Sequence, residues 1–129
     1  MKCGEIASRP VLTVTPDVTL EEAVEILAGH DVGLLVVVDK ENPKKVVGVL
    51  SERDVVRTIA GKAPLTVTVD KVATTHSLIY VYVDDPVEAA AEKMAKYGVR
   101  HVVVLDKNGE LYGVISIRDL LKRRVAATL

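Results

Sequence analysis

The sequence predicts a mixed α/β (α+β) fold made of one β-α-β-β-α unit used twice. Three observations carry that expectation. A strand-to-helix segment around Gly48 returns around Gly113, 65 residues on, and a strand-end segment around Asp39 returns around Asp106, 67 residues on. The apolar period also switches between strand-like and helix-like in the same order in both halves.

The alignment is direct. Val47-Gly48-Val49-Leu50-Ser51-Glu52-Arg53-Asp54-Val55-Val56 matches Tyr112-Gly113-Val114-Ile115-Ser116-Ile117-Arg118-Asp119-Leu120-Leu121, and Val36 to Lys40 matches Val103 to Lys107. The offsets differ because the first copy carries the longer loop, Glu41 to Lys45, where the second has Asn108-Gly109-Glu110. The repeats therefore divide the chain into residues 1–62 and 63–129. Before each, Gly4-Glu5-Ile6-Ala7 and Asp70-Lys71-Val72-Ala73 echo one another as a short lead-in turn.

Each element follows from its residues. Leu12 to Val14 and Ile79 to Tyr82 are short extended runs closed by Pro16-Asp17 and Asp84-Asp85-Pro86. Thr19-Leu20-Glu21-Glu22 is a capping box, after which Leu20, Ala23, Val24 and Leu27 share a helix face. In the second copy Asp85 is expected to cap and Pro86 to occupy the first helical position; Val87, Ala90, Ala91 and Met94 form the stripe and Gly98 stops it. Leu34 to Asp39, Val46 to Leu50, Val102 to Asp106 and Leu111 to Ile115 read as strands, the last two joined through Asn108-Gly109, a strong hairpin signal. Helical pattern resumes after Ser51 and Ser116, ending near Gly61 and in Lys122-Arg123-Arg124, cations suited to a helix C-terminus. A three-stranded sheet with helices on one face must cover its other face, and the natural cover is the other repeat.

Composition narrows the function classes. At 129 residues and 49% apolar content the chain can bury a core without disulfides or metal. Its longest apolar run, Leu34 to Val38, is far shorter than the roughly 18 residues of a membrane span. Met1-Lys2-Cys3-Gly4 opens no signal-peptide pattern, so a soluble, cytoplasmic protein is expected. The single Cys3 and the scattered His30, His76 and His101 lack metal-ligand spacing, so no metal or cofactor is expected. Seventeen Lys and Arg against 18 Asp and Glu give no basic field for nucleic acid, and without Phe or Trp there is no aromatic platform for single strands.

These residues resemble the CBS domain family, named after cystathionine beta-synthase. Its repeats run β-α-β-β-α and end in Gly-hydrophobic-hydrophobic-Ser/Thr-x-x-Asp. Gly48, Ser51 and Asp54 match that ending, as do Gly113, Ser116 and Asp119, and Thr15-Pro16-Asp17 with its following acidic helix is also family-like. The resemblance spans nearly the whole chain. It implies two repeats packed sheet to sheet about a pseudo-twofold axis, a Bateman module, with two clefts for an adenosine ligand. It further implies association of two such pairs into a disc-like homodimer that senses energy state and regulates an effector protein absent from this chain.

The candidate ligand residues follow. Ser51 and Ser116 sit where a strand becomes a helix, so their hydroxyls and the first free N–H groups face an anion placed there. The acceptor-only carboxylates of Asp54 and Asp119 suit the vicinal hydroxyls of a ribose. Arg53 and Arg118 offer fork donors to phosphate. Arg100-His101 precedes the second-copy strand and resembles the basic phosphate-contacting pair in the gamma subunit of AMP-activated protein kinase; its first-copy counterparts are Gly33 and Leu34, so one strong cleft is expected rather than two equal ones. Adenine would rest on apolar side chains and backbone, with Val14 and Val32 the candidates in one cleft and Tyr80, Val81 and Val99 in the other. The competing reading of Ser-x-x-Asp is plain helix capping, and capping and binding can share these residues.

A binding and regulatory module therefore fits best, with AMP, ADP or ATP as ligand and S-adenosylmethionine or NAD as further candidates. No Ser-His-Asp set, Walker loop or paired carboxylates point to catalysis. The alternatives are a ligand-free dimerisation or docking scaffold and, with less support, a nucleotide-acting hydrolase using Asp54 or Asp119.

Overall fold

The computed structural model describes residues 1–128, with side chains through Lys122. Twelve elements run in the order α1 (Cys3–Ile6), β1 (Thr13–Val14), α2 (Leu20–His30), β2 (Leu34–Val38), β3 (Val46–Ser51), α3 (Glu52–Ala60), α4 (Val69–Val72), β4 (Tyr80–Tyr82), α5 (Val87–Tyr97), β5 (His101–Leu105), β6 (Leu111–Ser116) and α6 (Ile117–Thr128). This is the mixed α/β, twice-repeated architecture that the sequence predicts.

Each repeat contributes one three-stranded sheet, ordered β1-β2-β3 and β4-β5-β6. The first two strands of each are parallel, because α2 or α5 carries the chain back between them, and the last two are an antiparallel hairpin. Both hairpins shift register at the same place, between Val37 and Val38 and between Val104 and Leu105. The duplication thus extends to an irregularity of the ladder. Central strands β2 and β5 bury alternate side chains on both faces: Leu35 and Val37 but also Val36, Val102 and Val104 but also Val103. That explains their unbroken Val and Leu runs.

Two compact units emerge, Leu12–Leu78 and a second made of Met1–Val11 with the chain from Ile79 onward. They differ from the sequence repeats by an exchange of lead-ins. In the first unit, α4 places Val69 in a core with Val14, Ala23, Leu27, Leu35, Val37 and Leu50. In the second, α1 places Cys3 and Ile6 among Val81, Ala90, Met94, Val102, Val104 and Ile115. The backbone contacts match: Val69 N–H donates to Val18 O (2.8 Å) and Asp70 N–H to Pro16 O (3.1 Å), while Cys3 N–H donates to Asp85 O (2.8 Å) and Gly4 N–H to Val83 O (2.9 Å). Each fully buried Val, Leu or Ile stabilises its unit by about 1.5–3 kcal/mol.

Helix starts and stops refine the expected boundaries. Thr19 caps α2, its Oγ1 accepting from the Glu22 N–H at 3.2 Å. Gly98, at φ +64°, ends α5, and Asp31, at φ +51°, ends α2 at the matching position. The expected cap at Asp85 is corrected: its carboxylate accepts from the Tyr82 N–H (2.8 Å) and holds the preceding turn, so Pro86 is the N-cap and Val87 opens the helix. Likewise α6 continues to Thr128, so Lys122, Arg123 and Arg124 lie within it rather than at its end. The side chains of Arg123 and Arg124 lie outside the described residues. Among the described residues no helix is long and apolar enough to cross a membrane, and no three His, Cys, Asp or Glu side chains group as metal ligands.

Candidate functional site

The repeated motif is built around a close backbone crossing. In the first unit the segment after α4 passes β3, with Thr74 and Val49 exchanging N–H···O bonds of 2.9 and 3.0 Å. In the second, the segment after α1 passes β6, with Ser8 and Val114 exchanging bonds of 2.8 and 3.3 Å. A Cβ on Gly48 would lie 2.8 Å from Thr74 O, and one on Gly113 would lie 2.9 Å from the Ala7 Cβ and 3.0 Å from Ser8 O. Glycine is therefore required for clearance, not for a special φ.

This crossing delivers a hydroxyl to each motif carboxylate. Thr74 Oγ1 donates to Asp54 (3.3 Å to Oδ1), and Ser8 Oγ donates to Asp119 (3.3 Å to Oδ2). Neither Ser8 nor Thr74 is among the residues the sequence nominates. The signal was present: extending the lead-in echo by one residue past Ala7 and Ala73 reaches both.

Both helix starts are reciprocal caps. Ser51 Oγ accepts from the Asp54 N–H (3.2 Å) while Asp54 Oδ2 accepts from the Ser51 N–H (3.0 Å). Ser116 Oγ accepts from the Asp119 N–H (3.1 Å) and Asp119 Oδ2 from the Ser116 N–H (2.9 Å). Capping is thus real in both copies. The copies differ in what else they hold. Asp54 is buried, 7% exposed, and also meets the Ser51 hydroxyl at 3.0 Å and Arg57 Nη1 at 3.6 Å. Asp119 is only half-buried.

The second copy alone has a basic pair beside its helix start. His101 opens β5 opposite Ser116, and the Arg100 carbonyl accepts the Ile117 N–H at 2.8 Å. Arg100 is exposed and His101 half-buried. In the first unit Leu34 stands opposite Ser51, and Gly33 O accepts the Glu52 N–H at 3.1 Å, so the backbone is conserved between the copies while the charge is not. Arg53 and Arg118 are both exposed, each two residues after its motif serine.

The adenine candidates fall in two environments. Val14 and Val81 are buried in the cores beneath α2 and α5, while Val32 and Val99 pack at the core margins just after those helices. Tyr80 is exposed on β4, edge-on to Tyr82 with ring centroids 5.6 Å apart, and Lys93 Nζ lies 5.4 Å from its ring. The hydrogen bond of the Tyr82 hydroxyl to Tyr80, then the charge of Tyr80, raises the Tyr82 phenol above its ordinary value.

Comparison with known proteins places this geometry. The family model described as CBS domain matches residues 3–61 and again 69–126. A CBS domain protein from Pyrobaculum aerophilum, complexed with AMP, is 42% identical, with a TM-score of 0.88 over 93% of this chain and 90% of that one. The CBS domain pair of protein MJ0100, in complex with 5′-methylthioadenosine and S-adenosyl-L-methionine, is 26% identical, with a TM-score of 0.88 over 98% of both chains. By sequence, an uncharacterised 17.7 kDa protein from Acidianus ambivalens is 38% identical over 94% of this chain and 71% of its own length. Inosine-5′-monophosphate dehydrogenase from Methanocaldococcus jannaschii is 33% identical over 95% of this chain, which spans 23% of that enzyme's length.

Proposed function

Because the chain belongs to the CBS domain family, with both repeats matched, we propose that it is a regulatory module without catalysis of its own that binds an adenosine nucleotide, AMP, ADP or ATP. The observation that carries this reading is the second-copy motif, where the Ser116–Asp119 cap, the Ser8 hydroxyl and the Arg100–His101 pair belong to one unit. In this reading Asp119 accepts the ribose hydroxyls. Ser116, Arg118, Arg100 and His101 meet phosphate at the positive end of α6, combining a helix N-terminus with fixed cations. The AMP complex of the Pyrobaculum protein supports the ligand class. S-adenosylmethionine, held by the MJ0100 pair, shares the ribose but replaces phosphate with a cationic sulfonium, which Arg100 disfavours.

The proposed output is conformational. A ligand shifts an equilibrium only by binding its two states unequally, so the regulated quantity is the geometry of a homodimer or of an effector's docking surface. Exposed apolar residues on α3 (Val56, Ile59) and α6 (Ile117, Leu121) are the surfaces we assign to a second copy. A binding panel tests the reading: calorimetry and thermal melts with AMP, ADP, ATP, S-adenosylmethionine and NAD. Heat and a raised melting temperature with AMP, ADP or ATP are expected. No response to any ligand would leave a docking scaffold, and release of ADP from ATP would make the protein an enzyme.

A further inference from the structure

The two motif carboxylates are occupied to different degrees, and the difference lies at the ribose end. Asp54 Oδ2 accepts the Ser51 N–H and the Ser51 hydroxyl, both at 3.0 Å. The Thr74 hydroxyl meets Oδ1 at 3.3 Å and Oδ2 at 3.5 Å, and Oδ1 also faces Arg57 Nη1 at 3.6 Å. A carboxylate offers about four acceptor positions, so this one is filled from within its own unit. Asp119 differs at two places. Its Oδ2 takes the Ser116 N–H and Ser8 hydroxyl, while Oδ1 meets that hydroxyl only at 3.5 Å. At the position of Arg57 stands Lys122, which makes no ion pair among the described residues.

We propose that Thr74 and Arg57 latch Asp54 against a ribose, making the first-copy motif a self-closed site and the second-copy motif the receptive one. This rests on the reading that these carboxylates receive ribose hydroxyls, and it adds a second cause of inequality to the phosphate charge of Arg100. A diol arriving at Asp54 must displace the Thr74 hydroxyl and the Arg57 guanidinium, so its own two hydrogen bonds replace bonds already made. At Asp119, among the described residues, an acceptor face remains for it.

The latch is tested with adenosine, which has the ribose but no phosphate and so makes no demand on Arg100. The full chain carrying Asp119→Ala, which leaves Asp54 as the motif carboxylate, is compared with the same chain carrying Arg57→Lys and Thr74→Ser in addition. Those two changes install the residues of the other unit and keep the positive charge and the hydroxyl. Calorimetry should show adenosine affinity rising about tenfold on opening the latch. The reciprocal graft, Ser8→Thr with Lys122→Arg in the otherwise unaltered chain, should lower affinity at Asp119 by a similar factor, giving a second measurement should the first variant fold poorly. An unaltered chain that binds adenosine, with neither graft moving its affinity, overturns the latch alone. An unaltered chain that binds neither adenosine nor AMP overturns the nucleotide reading and the latch with it.

Discussion

The starts of α3 and α6 are two copies of one arrangement, with the same glycine crossing, the same serine cap and the same lead-in hydroxyl on an aspartate. They have diverged around that shared frame. At α3 the aspartate is buried and met by Arg57, with no basic side chain at Gly33 or Leu34; at α6 it is half-buried, with Arg100 and His101 alongside. The parts retained in both copies hold the backbone and the cap, and what changed is the charge and burial around the aspartate.

The strongest way to break the comparison is to strike the shared frame. Gly48→Ala and Gly113→Ala each force a methyl group against backbone of the crossing lead-in, and overpacking of this kind costs about 1–3 kcal/mol. Both should lower the melting temperature by several degrees. The buried Cys3 then tells the units apart. Burial, followed by the charge of Asp85, raises its thiol above the ordinary value, so alkylation requires the second unit to open. Gly113→Ala should accelerate alkylation of Cys3, and Gly48→Ala should not. Equal acceleration would mean that the lead-ins do not anchor separate units.

The carboxylates come next, and they should trade roles. Asp119→Ala is expected to weaken AMP binding at least about tenfold, whereas Asp54→Ala leaves it within about twofold. For stability the order reverses. Removing buried Asp54 strands the Thr74 hydroxyl and the Ser51 N–H and costs about 1–3 kcal/mol, more than the half-exposed Asp119. Paired calorimetry and urea unfolding measure both, and equal affinity losses would overturn the inequality.

How much of this was legible in the sequence depends on whether a feature is local. The repeat, the strands and the Thr19 and Ser51 caps follow from period and from residues three apart, and all stand in the fold. The Asp85 cap was misplaced because a nearby backbone N–H, that of Tyr82, claimed the carboxylate first. The exchange of lead-ins was invisible, since it pairs Ser8 with Val114, 106 residues away, and no local preference encodes such a bond. For the same reason the motif aspartates were recognised while the hydroxyls that meet them were not. Arg57 was hidden differently: one helical turn from Asp54, it reads as an ordinary surface cation until the aspartate beside it proves buried.

The smallest expected effect compares two exposed ion pairs that the repeat placed alike. Lys40 Nζ lies 3.1 Å from Asp17, and its counterpart Lys107 lies 3.9 Å from Asp84. Only the first carboxylate has a threonine two residues back: Thr15 Oγ1 donates to Asp17 at 2.6 Å, where the second copy has Tyr82. That hydroxyl first, and Lys40 second, hold the Asp17 carboxyl below its ordinary value of 3.8. A carboxyl depressed in the folded state stabilises the fold above its unfolded value and loses that contribution as pH falls through the folded one. The window therefore lies below the ordinary value, and at this exposed site the stability change should be slight. NMR titration of the Asp17 carboxyl should show Thr15→Ala raising its midpoint more than Lys40→Ala does. Added salt should erase the Lys40 share and leave the Thr15 share, because a short hydrogen bond is screened far less than an exposed charge pair. A larger shift from Lys40→Ala would reverse that order and make Asp17 an ion-pair site first.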